Sequence, residues 1–368
     1  MYGASFINNE KRSTNSKKNK KLPQLCIMER TELKTLGEFG LIDRISSKFK
    51  NKNPETIKGI GDDAAVIDVG DKYMLISTDM LLEGIHFDLS YTPLRHLGYK
   101  AVAVNVSDIA AMNGIAKQIT VSVGLSNRIS VEAIDELYEG IRFACESYNI
   151  DLVGGDTSAS ASGFVISVTA TGFVDKDKIS YRNGAKPNDI LCVSGDLAAA
   201  YFGLQVLERE KQVYLANPNM QPELQDKEYL VGKLLKPEAR TDIVHELHEL
   251  GVVPTSMIDI SDGLASELLH LCSQSGVGAM VFEEKLPIED ITMLTATEFN
   301  LSPITAALNG GEDYQLLFTV KQADFDKIKN ISDILPIGYM TENKAVELAL
   351  TSGGTAKIKA QGWNHLNS

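Results

Sequence analysis

The sequence predicts a two-domain protein whose first half is an α/β unit. Three observations carry this. The chain has 368 residues, enough for two units that each bury a core. Between Tyr73 and Phe173, short strand-like apolar runs alternate with longer stretches of helical spacing. Carboxylates then recur where those runs end, at Asp63, Asp79 and Asp156 in the first half and at Asp259 and Asp262 in the second. The polar run Asp175–Lys178 marks the turn between halves, so the units are read as residues 29–175 and 176–368.

Residues 1–28 stand apart. Lys11, Arg12, Lys17, Lys18, Lys20 and Lys21 fall there without apolar periodicity, which reads as a disordered extension lacking the apolar core of a signal peptide. A short helix follows, from Leu33, Leu36, Phe39, Leu41, Ile42 and Ile45. Gly59-Ile60-Gly61-Asp62-Asp63-Ala64-Ala65 is a tight acidic turn: glycine lets the backbone bend, and paired aspartates offer hard oxygen to a cation. An acidic surface turn is the plainer reading of that segment alone. Val66-Ile67 starts a strand, and Tyr73–Ser77 forms another, expected to end at Thr78-Asp79.

Pro93–Met112 reads as a helix with one intrusive acid, Asp108, among alanines and valines; such a carboxylate is costly to bury unless paired or metal-bound. Ile119–Leu125 is a strand, Ser130–Tyr148 an amphipathic helix, and Asp151–Val153 a strand leading to a Gly154-Gly155-Asp156-Thr157 loop. Phe164–Phe173 and Ile190–Ser194 are further strands. Asn217–Lys227 is a polar insertion, and Thr241–Leu250 a helix. Asp259 falls inside a strand; Asp262, just before an apolar helix, also suits an N-cap. Gly310-Gly311-Glu312-Asp313-Tyr314 is a last glycine–acid turn before strand Gln315–Val320.

Composition narrows the function. The formal charge of −13, from 36 basic and 49 acidic residues, argues against non-specific nucleic-acid binding. No apolar run reaches the roughly 20 residues that span a bilayer, so no membrane segment is expected. Cys26, Cys145, Cys192 and Cys272 are scattered, which fits reduced thiols in the cytoplasm better than a zinc site or disulfides. His245 and His248 lie three apart on a helix, beside Glu246 and Glu249, and are read as surface residues.

Six carboxylates, Asp63, Asp79, Asp108, Asp156, Asp259 and Asp262, would repel one another in one site unless cations compensated them. Mg²⁺ suits carboxylate oxygens and bridges them to phosphates. The chain has neither a GxxxxGK[ST] loop nor the HRD and DFG runs of protein kinases, so a nucleotide enzyme built on it depends on metal ions rather than a P-loop lysine.

Eight runs, in order, carry a resemblance: GIGDDAA (59–65), STDMLLEGIHF (77–87), AVNVSDIAAM (103–112), GGDT (154–157), RNGAKP (182–187), IDISDGL (258–264), GGEDY (310–314) and GWNHL (362–366). Together they resemble the thiamine-monophosphate kinase family, within the superfamily of aminoimidazole ribonucleotide synthetase and selenophosphate synthetase. The resemblance implies an aminoimidazole-ribonucleotide-synthetase-like fold. Its α/β N-terminal domain (29–175) would bind ATP and Mg²⁺ and pair in a homodimer, followed by an α+β C-terminal domain (176–368). It implies phosphorylation of thiamine monophosphate to thiamine diphosphate with release of ADP. Asp63, Ser77, Thr78, Asp79, Asp108, Asp156, Asp259 and Asp262 would then hold Mg²⁺. Asp63, Ser77, Tyr138, Gly155, Asp156, Arg182 and Ser261 would serve the nucleotide, while His86, Glu312 and Trp363 would face thiamine phosphate. Asn364 and Leu366 stand where the family more often has Asp and Phe. The alternatives are another ATP-using member of the superfamily, a metal-dependent phosphatase, or a non-catalytic metal-binding scaffold.

Overall fold

The computed structural model describes residues 35–360, so residues 1–28, Cys26, Leu33 and the run holding Trp363 lie outside the described residues. In chain order the elements are α1 (Gly37–Ser46), β1 (Thr56–Lys58), β2 (Ala65–Asp68), β3 (Lys72–Leu82), α2 (Leu94–Ala111), β4 (Ile115–Leu125), α3 (Val131–Tyr148), β5 (Asp151–Ala159) and β6 (Val165–Asp175). Then follow β7 (Ile190–Ser194), α4 (Ala199–Ala216), α5 (Glu228–Leu235), α6 (Thr241–Glu249), β8 (Ser256–Asp259), α7 (Leu264–Ser275) and β9 (Gly278–Phe282). The chain continues through α8 (Asp290–Glu298), α9 (Pro303–Asn309), β10 (Leu316–Val320), α10 (Gln322–Ile328), β11 (Ile334–Thr341), β12 (Val346–Ala349) and β13 (Thr355–Lys357).

The strands form two sheets. The first has the order β1-β2-β3-β6-β4-β5 and the second β13-β12-β9-β11-β7-β10-β8. In the first, β4 and β5 run parallel, joined by α3; the other pairs are antiparallel. Along β6 half-buried and buried residues alternate without a break, as expected of a sheet with helices on one face only. β5 differs, for all nine of its residues are exposed at the sheet edge.

Helix α2 is the axis of the molecule. Fourteen of its eighteen residues are buried, so it is apolar nearly all round rather than amphipathic. Its apolar residues pack with those of β3, β4, β6 and α3, while Ala110 and Ala111 at its end join the core of the second sheet with Met257, Leu316 and Phe318. Helix α3 shows the ordinary case: Ser130 caps it by accepting from the Ala133 N–H, Asn149 ends it in the left-handed region, and one face is buried. The two helices approach closely because Gly98 and Gly140 lack side chains. A Cβ on Gly98 would fall 2.0 Å from the Leu137 carbonyl oxygen, and one on Gly140 1.9 Å from that of Arg95.

Three local readings change. Strand β3 runs on to Leu82, so Thr78 and Asp79 sit in mid-strand, held by pairing with Thr169 and Val168. Gly154–Thr157 is likewise the middle of β5, paired with β4, not a loop. Gly155 is required there by the strand itself, since a Cβ would lie 1.9 Å from the Val121 carbonyl oxygen. Asp262 does not cap α7, whose N-cap position is Gly263. The short helix expected after Thr31 is present as α1, with Ile42 and Ile45 exposed on it.

Candidate active site

Acids from both halves meet beside α2. Carboxylate oxygens of Asp63, Asp108 and Asp259 lie within 4.8 Å of one another, although they come from the turn before β2, the last part of α2 and the end of β8. Each is fixed by a neighbour. Ser77 of β3 donates to Asp108, and Ser107 donates to Asp259 over 2.6 Å. Arg182, in the connection between the sheets, grips Asp63 with both arms at 2.8 and 3.1 Å, while its backbone N–H donates to Asp62. Asp79 joins through its backbone, donating to Asn105 Oδ1 at 3.0 Å. Strand alternation aims Ser77 and Asp79 toward α2 and turns Thr78 to the opposite face, where its hydroxyl donates to the Val168 carbonyl.

Burial makes this cluster hungry for positive charge. Burial, then the neighbouring Asp63, pushes Asp259 up to about 7. Burial and the nearby Glu312 push Asp79 to about 6. Asp108 is raised well above the ordinary carboxylate range by burial and by Asp79, Asp259 and Asp63 together. Glu267 of α7 is buried against the same region, accepts from the Asp262 N–H, and is raised by burial and by Asp262. Hard oxygen donors at this spacing and short of countercharge are what a divalent cation requires.

A cavity of about 540 Å³ opens from the cluster. Its acidic end is lined by Asp79, Asp108, Asp259, Ser261, Asp262 and Glu312, and its other end by Met80, Ile85, Phe87, Leu204, Leu234 and Leu235. His86 also lines it, its Nδ1 accepting from the Leu82 N–H. Glu312 is placed by a tight turn: Gly311, Glu312 and Tyr314 all have left-handed φ, and the Glu312 N–H donates to the Ser261 carbonyl at 2.7 Å. A Cβ on Gly311 would lie 2.5 Å from that same oxygen, so the glycine is obligatory.

Not every expected residue comes here. Gly155 and Asp156 lie on the exposed edge strand β5, and Tyr138 packs on α3 against the core of the first sheet; none of the three lines this cavity. Sequence reasoning passed over Lys100, Ser107, Tyr91, Glu208 and Lys211. The hydroxyl of Tyr91 donates to Glu208, and Lys211 pairs with Asp88, all at the cavity's far end. A signal for Lys100 was present, namely one lysine in the middle of an apolar helix. Nothing local distinguishes the others: Ser107 is placed by α2, while Glu208 and Lys211 reach the site on α4 to meet Tyr91 and Asp88.

The two sheets, the central helix and the acid cluster define a protein with the aminoimidazole-ribonucleotide-synthetase-like architecture. Residues 61–174 match the family model for AIR synthase related protein, N-terminal domain. Thiamine-monophosphate kinase of Aquifex aeolicus is 36% identical over 334 residues, covering 90% of this chain and 99% of the relative. That of Bacillus subtilis is 33% identical over 338 residues, covering 90% of this chain and 99% of the relative. A solved structure, AaThiL complexed with AMPPCP and TMP, superposes with a TM-score of 0.79 at 34% identity, covering 92% of this chain and all of that one. The chain belongs to the thiamine-monophosphate kinase family.

Proposed function

We propose that the protein transfers the terminal phosphoryl group of ATP to thiamine monophosphate in the cytoplasm, giving thiamine diphosphate and ADP. The observation that carries this reading is the convergence of Asp63, Asp108 and Asp259, the last two lining a cavity that also presents the apolar Met80, Ile85, Phe87, Leu204, Leu234 and Leu235. Such a cavity suits a polyphosphate at one end and a heterocycle at the other. The AMPPCP and TMP held by the solved relative support the same pair of ligands.

The donor set fits Mg²⁺: Asp63, Asp108 and Asp259 would hold it, with Ser77, Asp79 and Asp262 as further candidates, while Thr78 and Asp156, also expected as ligands, lie on the opposite face of β3 and on the edge strand. When bound, Mg²⁺ supplies neutralisation of the phosphates and of the charge that develops during transfer. The protein's own part is positioning. Ser77 and Ser107 orient two of the carboxylates, Arg182 fixes the third and brings a guanidinium to the nucleotide, and His86, Glu312 and Trp363 serve thiamine phosphate. The acceptor is a phosphate oxygen, already ionised near neutral pH, so direct in-line transfer needs no side chain as base. Ser261 lines the cavity and would complete the nucleotide contacts there, whereas Tyr138 and Gly155, also expected to touch the nucleotide, lie away from it. A homodimer pairs through the N-terminal domain, residues 29–175, for which the fully exposed edge strand β5 is the supporting feature.

Incubation with ATP, MgCl₂ and thiamine monophosphate should yield thiamine diphosphate, and Asp63→Ala should lower the rate by about 100-fold or more. ATP binding by the wild type without any diphosphate formed would remove the substrate assignment.

A further inference from the structure

Lys100 is 3% exposed and lies in the middle of α2, yet its Nζ reaches the cavity and sits 2.6 Å from Glu312 Oε2. Lys100, Val104 and Asp108 all line the cavity, four residues apart, so they form one stripe along the helix. This puts the backbone of Lys100 about two turns, about 12 Å along the helix, before that of Asp108. Lys211 also lines the cavity, but at its far end it is tied to Asp88 at 2.7 Å and lies 3.6 Å from Glu208. Lys100 is thus the ammonium that faces an acidic end holding Asp79, Asp108, Asp259 and Asp262, all of which repel an incoming phosphate.

We propose that Lys100 and Glu312 form an internal ion pair that thiamine monophosphate displaces, Lys100 turning to its phosphate and Glu312 to its cationic ring. This rests on the function proposed above and adds the basis of substrate choice. The substrate carries a positive thiazolium and a negative phosphate, and the pair offers the complementary two charges. One buried pair is exchanged for two, and no charge is left uncompensated. Thiamine without its phosphate must instead compete with Lys100 for Glu312 and gives the ammonium no new partner. The site therefore rejects the unphosphorylated vitamin by leaving a buried charge unpaired.

Calorimetric titration of wild type, K100M and E312Q with thiamine monophosphate and with thiamine tests this. Wild type is expected to prefer the monophosphate. K100M should lose about 10- to 100-fold in monophosphate affinity while binding thiamine as tightly as wild type or more so, because Glu312 is freed. E312Q should weaken both ligands. The double variant K100M/E312Q leaves neither charge stranded, guards against a folding defect in K100M, and should bind the two ligands equally. Equal losses for both ligands in K100M, or an unchanged preference for the monophosphate in either Lys100 variant, overturns the proposal while the substrate assignment stands. A wild type that binds AMPPCP but not thiamine monophosphate overturns both.

Discussion

An ionised carboxylate inside a protein is costly unless something shares its charge, and burial pushes the site acids upward accordingly. Asp259 and Asp79 rise from an ordinary 3.8 to about 7 and about 6, chiefly through burial. Both values are raised, so between pH 4 and 7 the native state holds protons that the unfolded chain has released. Metal-free stability contributed by these groups is therefore greatest below about pH 4 and declines as pH rises through 7. In EDTA the melting temperature should fall between pH 5 and 8, and Asp259→Asn should flatten that slope. Mg²⁺ should raise the melting temperature more at pH 8 than at pH 5. A metal-free protein that gains stability over this range would contradict the account.

Among the elements, α2 carries the most. It buries two sides at once and supplies Lys100, Asn105, Ser107 and Asp108 to the site, so its depth is a functional dimension. That depth is set by the Gly98–Gly140 crossing with α3, where backbone meets backbone. Gly98→Ala should cost about 1–3 kcal/mol by forcing the helices apart. Urea denaturation measures this, and a midpoint equal to wild type would show that the crossing has slack. The helix over Ser130–Tyr148 and the strand over Phe164–Phe173 were legible in sequence, because each is a local preference written over a few residues. The extension of β3 past Asp79 and of β5 through Gly154–Thr157 was not. Glycines and hydroxyls there read as a loop, while hydrogen bonding to β6 and β4 makes them strand.

For the whole molecule, the proposed homodimer is tested at β5. Nine exposed residues on an edge, including Leu152 at 43% and Val153 at 60%, leave backbone and apolar surface open. Wild type should sediment as a dimer, and Val153→Asp as a folded monomer. A monomeric wild type at micromolar concentration would leave the edge without this role. Among the described residues no helix is long and apolar enough to cross a membrane.

The sequence by itself determined most elements of the first half, the acidic motifs and the family, since those depend on local pattern and on residue identity. It also named Asp63, Asp108 and Asp259 as candidates. Only the tertiary structure decided which acids share a site. Asp63 and Asp259 are almost two hundred residues apart and meet because α2 lies between two sheets and touches both. The same packing set Thr78 on the opposite face of β3 and Asp156 on the open edge, and it sank Lys100 opposite Glu312. Proximity and burial arise from the summed packing of distant segments, and no local run of residues encodes either.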